Sequence, residues 1–218
     1  AAAKTLVKGV LSAPNAERFL IVDHPSATQA HILLAQVLPA EVANDPLAAQ
    51  LVVSHAFRSR LMDNLRSAKG WSYESYPFGI ELRRGGAVAR FNMPVQTDKT
   101  AEAIAEVRKE IARLRDEPVT PASLRGWRSY LESTLTAGLM SLERLNPLLL
   151  DAARNELPPG YYASALRRLA AFTPEDVTAT ARALFRPDRL VWVIAGRRDE
   201  VERELRELGV PFEVYAPQ

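Results

Sequence analysis

Cysteine is absent from all 218 residues of the chain. This absence excludes disulfide bonds, thiolate zinc sites and a cysteine nucleophile. Long hydrophobic runs are also missing, because no apolar stretch approaches the roughly 20 residues that span a bilayer. Histidine is scarce, with three in the chain, and this limits the metal sites that the sequence can encode.

Neither sign of charge is in excess. The 28 Lys and Arg residues are interleaved with 26 Asp and Glu residues, and the formal net charge is +2. This pattern indicates neither a nucleic-acid groove nor a membrane-binding patch. The hydrophobic share of 47% and the charged share of 25% are ordinary for a globular protein, and the length is sufficient for a substantial core.

The order of predicted elements indicates an α+β fold. The pattern strand-strand-helix occurs twice, several helices follow, and the chain ends with strand-helix-strand, which favours an antiparallel or mixed sheet with helices packed on one face. Residues 1–17 contain Gly9, Pro14 and Asn15 and show no sustained period, so we predict a linker or arm there. No later segment divides the chain, and residues 18–218 are predicted to form a single domain.

Local signals place several of these elements. Residues 18–23 and 27–38 are predicted to be strands that pair as a hairpin. Alternating apolar residues predict a strand at 87–95, and a helical period runs from 97 to 114. The Asn146-Pro147 pair predicts a break or kink in the helical region that follows.

The most informative segment is residues 59–73, where an amphipathic helix is predicted to end and an aromatic-rich strand, Ser72 to Leu82, to begin. Apolar residues spaced four apart share one helical face, and Arg66 is rotated off that face. Gly70 can take a left-handed backbone and so end the helix. A tight turn could bring Arg66 and Tyr73, seven residues on, together. Lys69 is predicted to be a solvated turn charge.

The motifs Ser-Arg-Leu, Leu-Arg and Lys-Gly-x-x-Tyr in this segment resemble the second domain of the pitrilysin/insulinase family of zinc peptidases, which includes the mitochondrial processing peptidases. The resemblance implies a mitochondrial-processing-peptidase-like metallohydrolase fold over roughly residues 18–215. In that family an Arg and a Tyr seven positions later reach the active site of the zinc-bearing domain, and Arg66 and Tyr73 have this spacing. The run before Ser59 lacks the glycines that family members often carry, so the start of the helix is expected to differ.

The resemblance also implies a function. The chain would be the zinc-free, substrate-binding half of a metallopeptidase, with an unfolded peptide as substrate and zinc supplied by a separate domain or subunit. Arg66 and Tyr73 would be its catalytic and substrate-binding residues, donating hydrogen bonds to a peptide carbonyl. Two alternatives stay open: a non-catalytic scaffold subunit of the same fold, and an unrelated α+β binding domain. From the seven-residue spacing alone, Arg66 would more typically be a solvated helix residue and Tyr73 a half-buried strand residue.

Other chemistry finds little support in the sequence. None of His24, His31 and His55 is followed by Glu and His at the spacing of His-x-x-Glu-His, so no zinc site is predicted in this chain. Gly-x-Ser-x-Gly and a phosphate-loop pattern are absent. Family habit and the lack of cysteine favour a periplasmic location, and the bacterial cytoplasm stays open.

Overall fold

The computed structural model describes residues 13–39, 42, 52–72, 78–83, 86–154 and 156–215. Its strands are β1 (Arg18–Asp23), β2 (Ala30–Val37), β3 (Phe78–Arg83), β4 (Gly86–Val95), β5 (Val191–Gly196) and β6 (Glu213–Tyr215). Helix α1 is continuous, with π-helical turns at Val52–Phe57 and Met62–Ala68 on either side of an α-helical turn at Arg58–Leu61. The α-helices that follow are α2 (Thr100–Asp116), α3 (Pro121–Leu139), α4 (Leu142–Arg154), α5 (Tyr161–Ala171), α6 (Pro174–Leu184) and α7 (Arg198–Glu207), and short 3-10 turns lie at Thr97–Lys99 and Pro187–Arg189.

The described strands form one mixed sheet in the order β3-β4-β2-β5-β1-β6. Strand β2 is antiparallel to β4 and β5, whereas β1 is parallel to β5 and β6. The predicted hairpin between the first two strands is therefore wrong, because β5 lies between them. From Val191 to Ala195, β5 is apolar on both faces, and a position between two other strands shields such a strand better than an edge does.

Helices α1, α2, α3, α6 and α7 form a single core with one face of this sheet. Apolar residues that alternate along β4 are all buried, as predicted, namely Ala87, Ala89, Phe91, Met93 and Val95. The predicted helical stripe on α2 is also buried, with at most 1% exposure at Ile104, Val107, Ile111 and Leu114. The buried residues of β4 and of α2 belong to the same hydrophobic cluster. This arrangement confirms an α+β fold with a mixed sheet. No helix in the described ranges is both long and apolar enough to cross a membrane.

Glu17 joins the start of β1 to this core. Its carboxylate accepts a hydrogen bond from Trp192 Nε1 at 2.7 Å and another from Arg108 Nη2 at 2.5 Å. Trp192 is fully buried and stacks on Phe19, with ring centroids 5.8 Å apart. A buried indole N–H needs an acceptor, and Glu17 provides it while tying β5 to α2.

The helix does not break at Pro147, because Pro147 lies inside α4; the other predicted outcome, a kink at this residue, stays a prediction. The helical region is interrupted earlier, at Met140 and Ser141, where the carbonyl of Ser141 starts the next helix by accepting from the Leu145 amide at 2.7 Å. Pro147 lacks an amide to donate to Glu143, but both residues are exposed, so water can solvate the carbonyl that is left without a partner.

Thr173 caps the N-terminus of α6 in a capping box. Its hydroxyl accepts from the Asp176 amide at 3.1 Å, and the Asp176 carboxylate accepts from the Thr173 amide at 2.8 Å. Thr173→Ala is expected to lower the free energy of unfolding by about 1 kcal/mol because it removes this cap, as measured by chemical denaturation. Thr180→Ala, at a half-buried position within the same helix, is the control. An equal loss in both variants would contradict the capping role.

Candidate functional site

Arg66 lies on the last turn of α1. Leu61 and Leu65 of this helix are fully buried, as their spacing predicts, and Arg66 is exposed. The turn is π-helical over Met62–Ala68, and π-helical turns are rare and often occur at functional sites. Within the described part of the chain, the Arg66 guanidinium has no ion pair or hydrogen bond. Its donors therefore face solvent as far as the described residues extend.

Residues 66–72 form a turn that we call the corner. Gly70 takes the predicted left-handed conformation, with φ 65°. Its amide donates to the Arg66 carbonyl at 3.2 Å, and the Trp71 amide donates to the Leu65 carbonyl at 2.9 Å. Gln96, which follows β4, holds the corner from the other side: its Nε2 donates to the Gly70 carbonyl at 3.2 Å and its amide to the Trp71 carbonyl at 3.0 Å.

A second set of contacts fixes the corner to α2. The Glu106 carboxylate accepts from Asn64 Nδ2 at 2.6 Å and pairs with Lys69 Nζ at 2.7 Å. The Lys69 ammonium also lies 4.4 Å from the centre of the Trp71 ring, a cation–π contact. Hydrogen bonds from Lys69 and Asn64 lower the pKa of Glu106, because they favour its ionised form. The prediction that Lys69 is a solvated turn charge is wrong.

The second predicted site residue, Tyr73, lies outside the described residues. Its approach to Arg66 therefore stays a prediction. Trp71 lies in a bend and Ser72 lies outside any strand, so the predicted start of the strand at Ser72 is wrong. The Trp71 ring packs against the core and against Lys69, and Ser72 then turns inward with 2% exposure. Chemically, the described part of the corner offers one exposed guanidinium on a backbone that is fixed from two sides.

The three histidines occupy different settings. His24 follows β1, His31 is exposed on β2, and the ring of His55 in α1 meets Tyr130 edge-on at 4.6 Å between centroids. Burial and, to a lesser degree, the charge of Arg58 lower the pKa of His55. In the described part of the chain, no group of three or more His, Asp or Glu side chains is placed to hold a metal ion. These residues do not fit the zinc ion that the family resemblance associates with its catalytic domain.

The sequence matches the family model described as the peptidase M16 inactive domain over residues 3–131. The match covers more than half of the chain, and the chain belongs to this family. This result confirms the resemblance to the zinc-free second domain of the pitrilysin/insulinase peptidases. No curated protein matches the sequence significantly.

Solved structures share the fold. The peptidase M16 inactive domain from Pseudomonas fluorescens aligns with 87% of this chain and 45% of its own, with a TM-score of 0.72 and 21% identity. A protease from Helicobacter pylori aligns over 89% and 49%, with a TM-score of 0.74 and 16% identity. The periplasmic protease PqqL from Escherichia coli aligns over 85% and 21%, with a TM-score of 0.68 and 12% identity. The chain thus spans about half of the length of the first two structures, and less of the third.

Sequence reasoning missed the residues that hold the corner, namely Asn64, Gln96 and Glu106. Their contacts join positions 26 and 42 residues apart, which no local pattern can reveal. Glu106 flanks the apolar stripe of α2 and so resembles an ordinary helix-surface carboxylate. Because α2 packs against the end of α1, Glu106 also binds Asn64 and Lys69.

The pair formed by Lys69 and Glu106 is expected to stabilise the fold more than a surface ion pair. Their side chains are only 28% and 18% exposed, so water screens the pair less. A double-mutant cycle with Lys69→Met and Glu106→Gln, measured by chemical denaturation, is expected to give a coupling energy of about 1 kcal/mol.

Lys109 is a matched control for this cycle. It also pairs with Glu106, at 3.6 Å, but its side chain is 62% exposed. A cycle with Lys109→Met and Glu106→Gln is expected to give a clearly smaller coupling energy. Equal coupling for the two lysines would contradict the role of Lys69 in holding the corner.

Proposed function

We propose that this chain is the zinc-free, substrate-binding half of a pitrilysin/insulinase-like metallopeptidase. In this proposal Arg66 and Tyr73 bind an unfolded peptide and stabilise the transition state of its hydrolysis. One observation carries the proposal: a chain of this family holds an exposed arginine, without a partner among the described residues, on a corner fixed by α2 and β4.

The chemistry suits these two side chains. Arginine stays protonated and presents a planar fork of donors, and the tyrosine hydroxyl adds one more donor. Negative charge develops on the carbonyl oxygen of a peptide bond when water attacks it. Donors that are positioned before the reaction stabilise that charge without reorganising. A corner fixed by Glu106 and Gln96 keeps Arg66 on a backbone whose orientation is set in advance.

The rest of the active site belongs to another domain or subunit in this proposal. That partner supplies the zinc ion, its ligands and the general base, and this chain alone does not hydrolyse peptides. Two observations support the arrangement: the described residues hold no metal-binding group, and the Pseudomonas and Helicobacter structures are about twice as long as the part that aligns. We propose a periplasmic location, in keeping with the periplasmic PqqL protease among the structural neighbours.

The test measures peptide turnover by the complex of this chain with its zinc-bearing polypeptide. Arg66→Ala is expected to lower kcat by about 100-fold, the usual effect of removing one transition-state donor. Arg66→Lys keeps the charge but loses the planar fork, so it is expected to restore only part of the activity. Tyr73→Phe removes a single hydroxyl and is expected to lower kcat as well.

Arg125→Ala is the matched control, because Arg125 is an exposed arginine of a different helix, α3. It is expected to leave both kcat and KM at wild-type values. Wild-type turnover in both Arg66→Ala and Tyr73→Phe would contradict the catalytic assignment. That outcome would favour a non-catalytic scaffold subunit of the same fold.

A further inference from the structure

Helix α4 and the turn before it carry large apolar side chains that face solvent. Their exposed fractions are 84% for Met140, 79% for Leu142, 55% for Leu149 and 65% for Leu150. Isolated apolar residues are common on protein surfaces and need no explanation. Here several lie along one short helix and its leading turn, and a contiguous exposed patch of this kind marks an interaction site.

The exposed apolar residues of α4 lie along one side of the helix, which we call the α4 stripe. Its members follow one another at intervals of four, three, one and three positions, a spacing that places them on a single helical face. They are Leu142, Asn146, Leu149, Leu150 and Ala153, and all are exposed. Because Asn146 alone among them is polar, the stripe is apolar along nearly its whole length.

A different side of α4 packs on the chain itself. Leu145 and Leu148 are half-buried, and the Leu148 carbonyl accepts a hydrogen bond from the Tyr162 hydroxyl of α5 at 3.2 Å. A methyl carbon of Leu148 also lies beside Gly138 of α3. Helix α4 is therefore apolar on two sides, of which the described chain covers one. A helix that is apolar over so much of its surface is normally buried.

Two residues of opposite charge mark the ends of the α4 stripe. Glu143 lies in the first turn of α4 and Arg154 in the last, and both are exposed. They are eleven residues apart, which is about three full turns, so they lie on the same flank of the stripe. Neither has an ion pair or a hydrogen bond to another residue in the described part of the chain.

This placement of charges is self-complementary for two antiparallel helices. A two-fold axis near Leu149 sets Glu143 of one copy beside Arg154 of the other, and it does so twice, because the same flank of both helices meets in such a pair. Leu149 and Leu150 of the two copies meet at the axis. A parallel pair would instead place like charges side by side, which is unfavourable.

We infer that α4 is a self-association surface, through which two copies of this chain pack their α4 stripes in antiparallel orientation. The 13 residues of α4 make a stripe of roughly 20 Å. An interface of this length is small, and small interfaces are weak, so the dimer is expected to form and dissociate reversibly with protein concentration. Self-association through α4 involves neither Arg66 nor Tyr73 and is therefore independent of the proposed function.

A charge exchange tests this arrangement, with dimerisation of the full product of the native gene measured by analytical ultracentrifugation over a range of protein concentrations. Glu143→Arg is expected to weaken dimerisation by about tenfold, because it turns two attractive pairs into repulsive ones. Arg154→Glu is expected to do the same. The double variant with Glu143→Arg and Arg154→Glu is expected to dimerise like the wild type, since both pairs form again with their signs exchanged.

Glu175→Arg is the matched control. Glu175 is an exposed glutamate in the first turn of another helix, α6, so its reversal has the same unfavourable interaction with the helix dipole. It is expected to leave dimerisation unchanged. Leu149→Glu tests the apolar part of the surface and is expected to abolish dimerisation. Because Leu149 is exposed, this variant is expected to fold, which a wild-type far-UV circular dichroism spectrum would show.

Photo-crosslinking distinguishes a second copy from other occupants of the surface. The photoreactive residue p-benzoylphenylalanine replaces Leu150 in an equal mixture of unlabelled and nitrogen-15-labelled protein, and irradiation is expected to link α4 peptides of the two isotopic forms. Four results would overturn the inference: a monomer at every concentration, undiminished dimerisation in Glu143→Arg or Leu149→Glu, no recovery in the double variant, or links from position 150 only to another domain or protein. Turnover by Arg66→Ala has no bearing on any of them.

Discussion

The geometry of the corner depends on the Glu106 carboxylate. It receives Asn64 from α1 and Lys69 from the corner, so a single group of α2 joins the helix to the turn that ends it. Lys69 in turn lies against the ring of Trp71. Gln96 then closes the turn from the end of β4 with two hydrogen bonds to the backbone. Because both attachments act on Gly70 and its neighbours, the helix end cannot move without breaking several contacts at once.

This construction explains how an exposed side chain can still be well placed. A long arginine on a free loop would lose much conformational entropy on binding. Arg66 instead projects from a helix whose buried side holds Leu61 and Leu65 in the core. Folding already orders the backbone at Arg66, so binding of a ligand reduces the conformational entropy of the side chain alone. That division suits the role proposed for Arg66, which is to meet negative charge that develops on a bound substrate.

The two faces of the sheet have different surroundings. One face is buried by helices around Trp192 and Phe91, and the other presents half-buried valines and leucines. The family to which the chain belongs is described as an inactive domain. In the proposed function, the exposed guanidinium of Arg66, which has no partner among the described residues, is available to a substrate bound with a second domain.

Much of the fold followed from local patterns in the sequence. The alternation in β4, the stripe on α2 and the glycine that ends α1 are all patterns that span only a few residues. The errors concern contacts between distant parts of the chain. Insertion of β5 between β1 and β2 depends on a strand some 170 residues later. The prediction for Lys69 is wrong for the same reason, since its partner Glu106 belongs to another element.

The fixed corner is the central physical claim, and amide hydrogen exchange tests it most directly. The amides of Gly70, Trp71 and Gln96 each donate to a backbone carbonyl at or beside the corner. They are expected to exchange slowly, together with those of β4, and Glu106→Gln is expected to speed the exchange of all three. Exchange of these amides at the rate of an unstructured peptide, while α2 and β4 stay protected, would contradict the account.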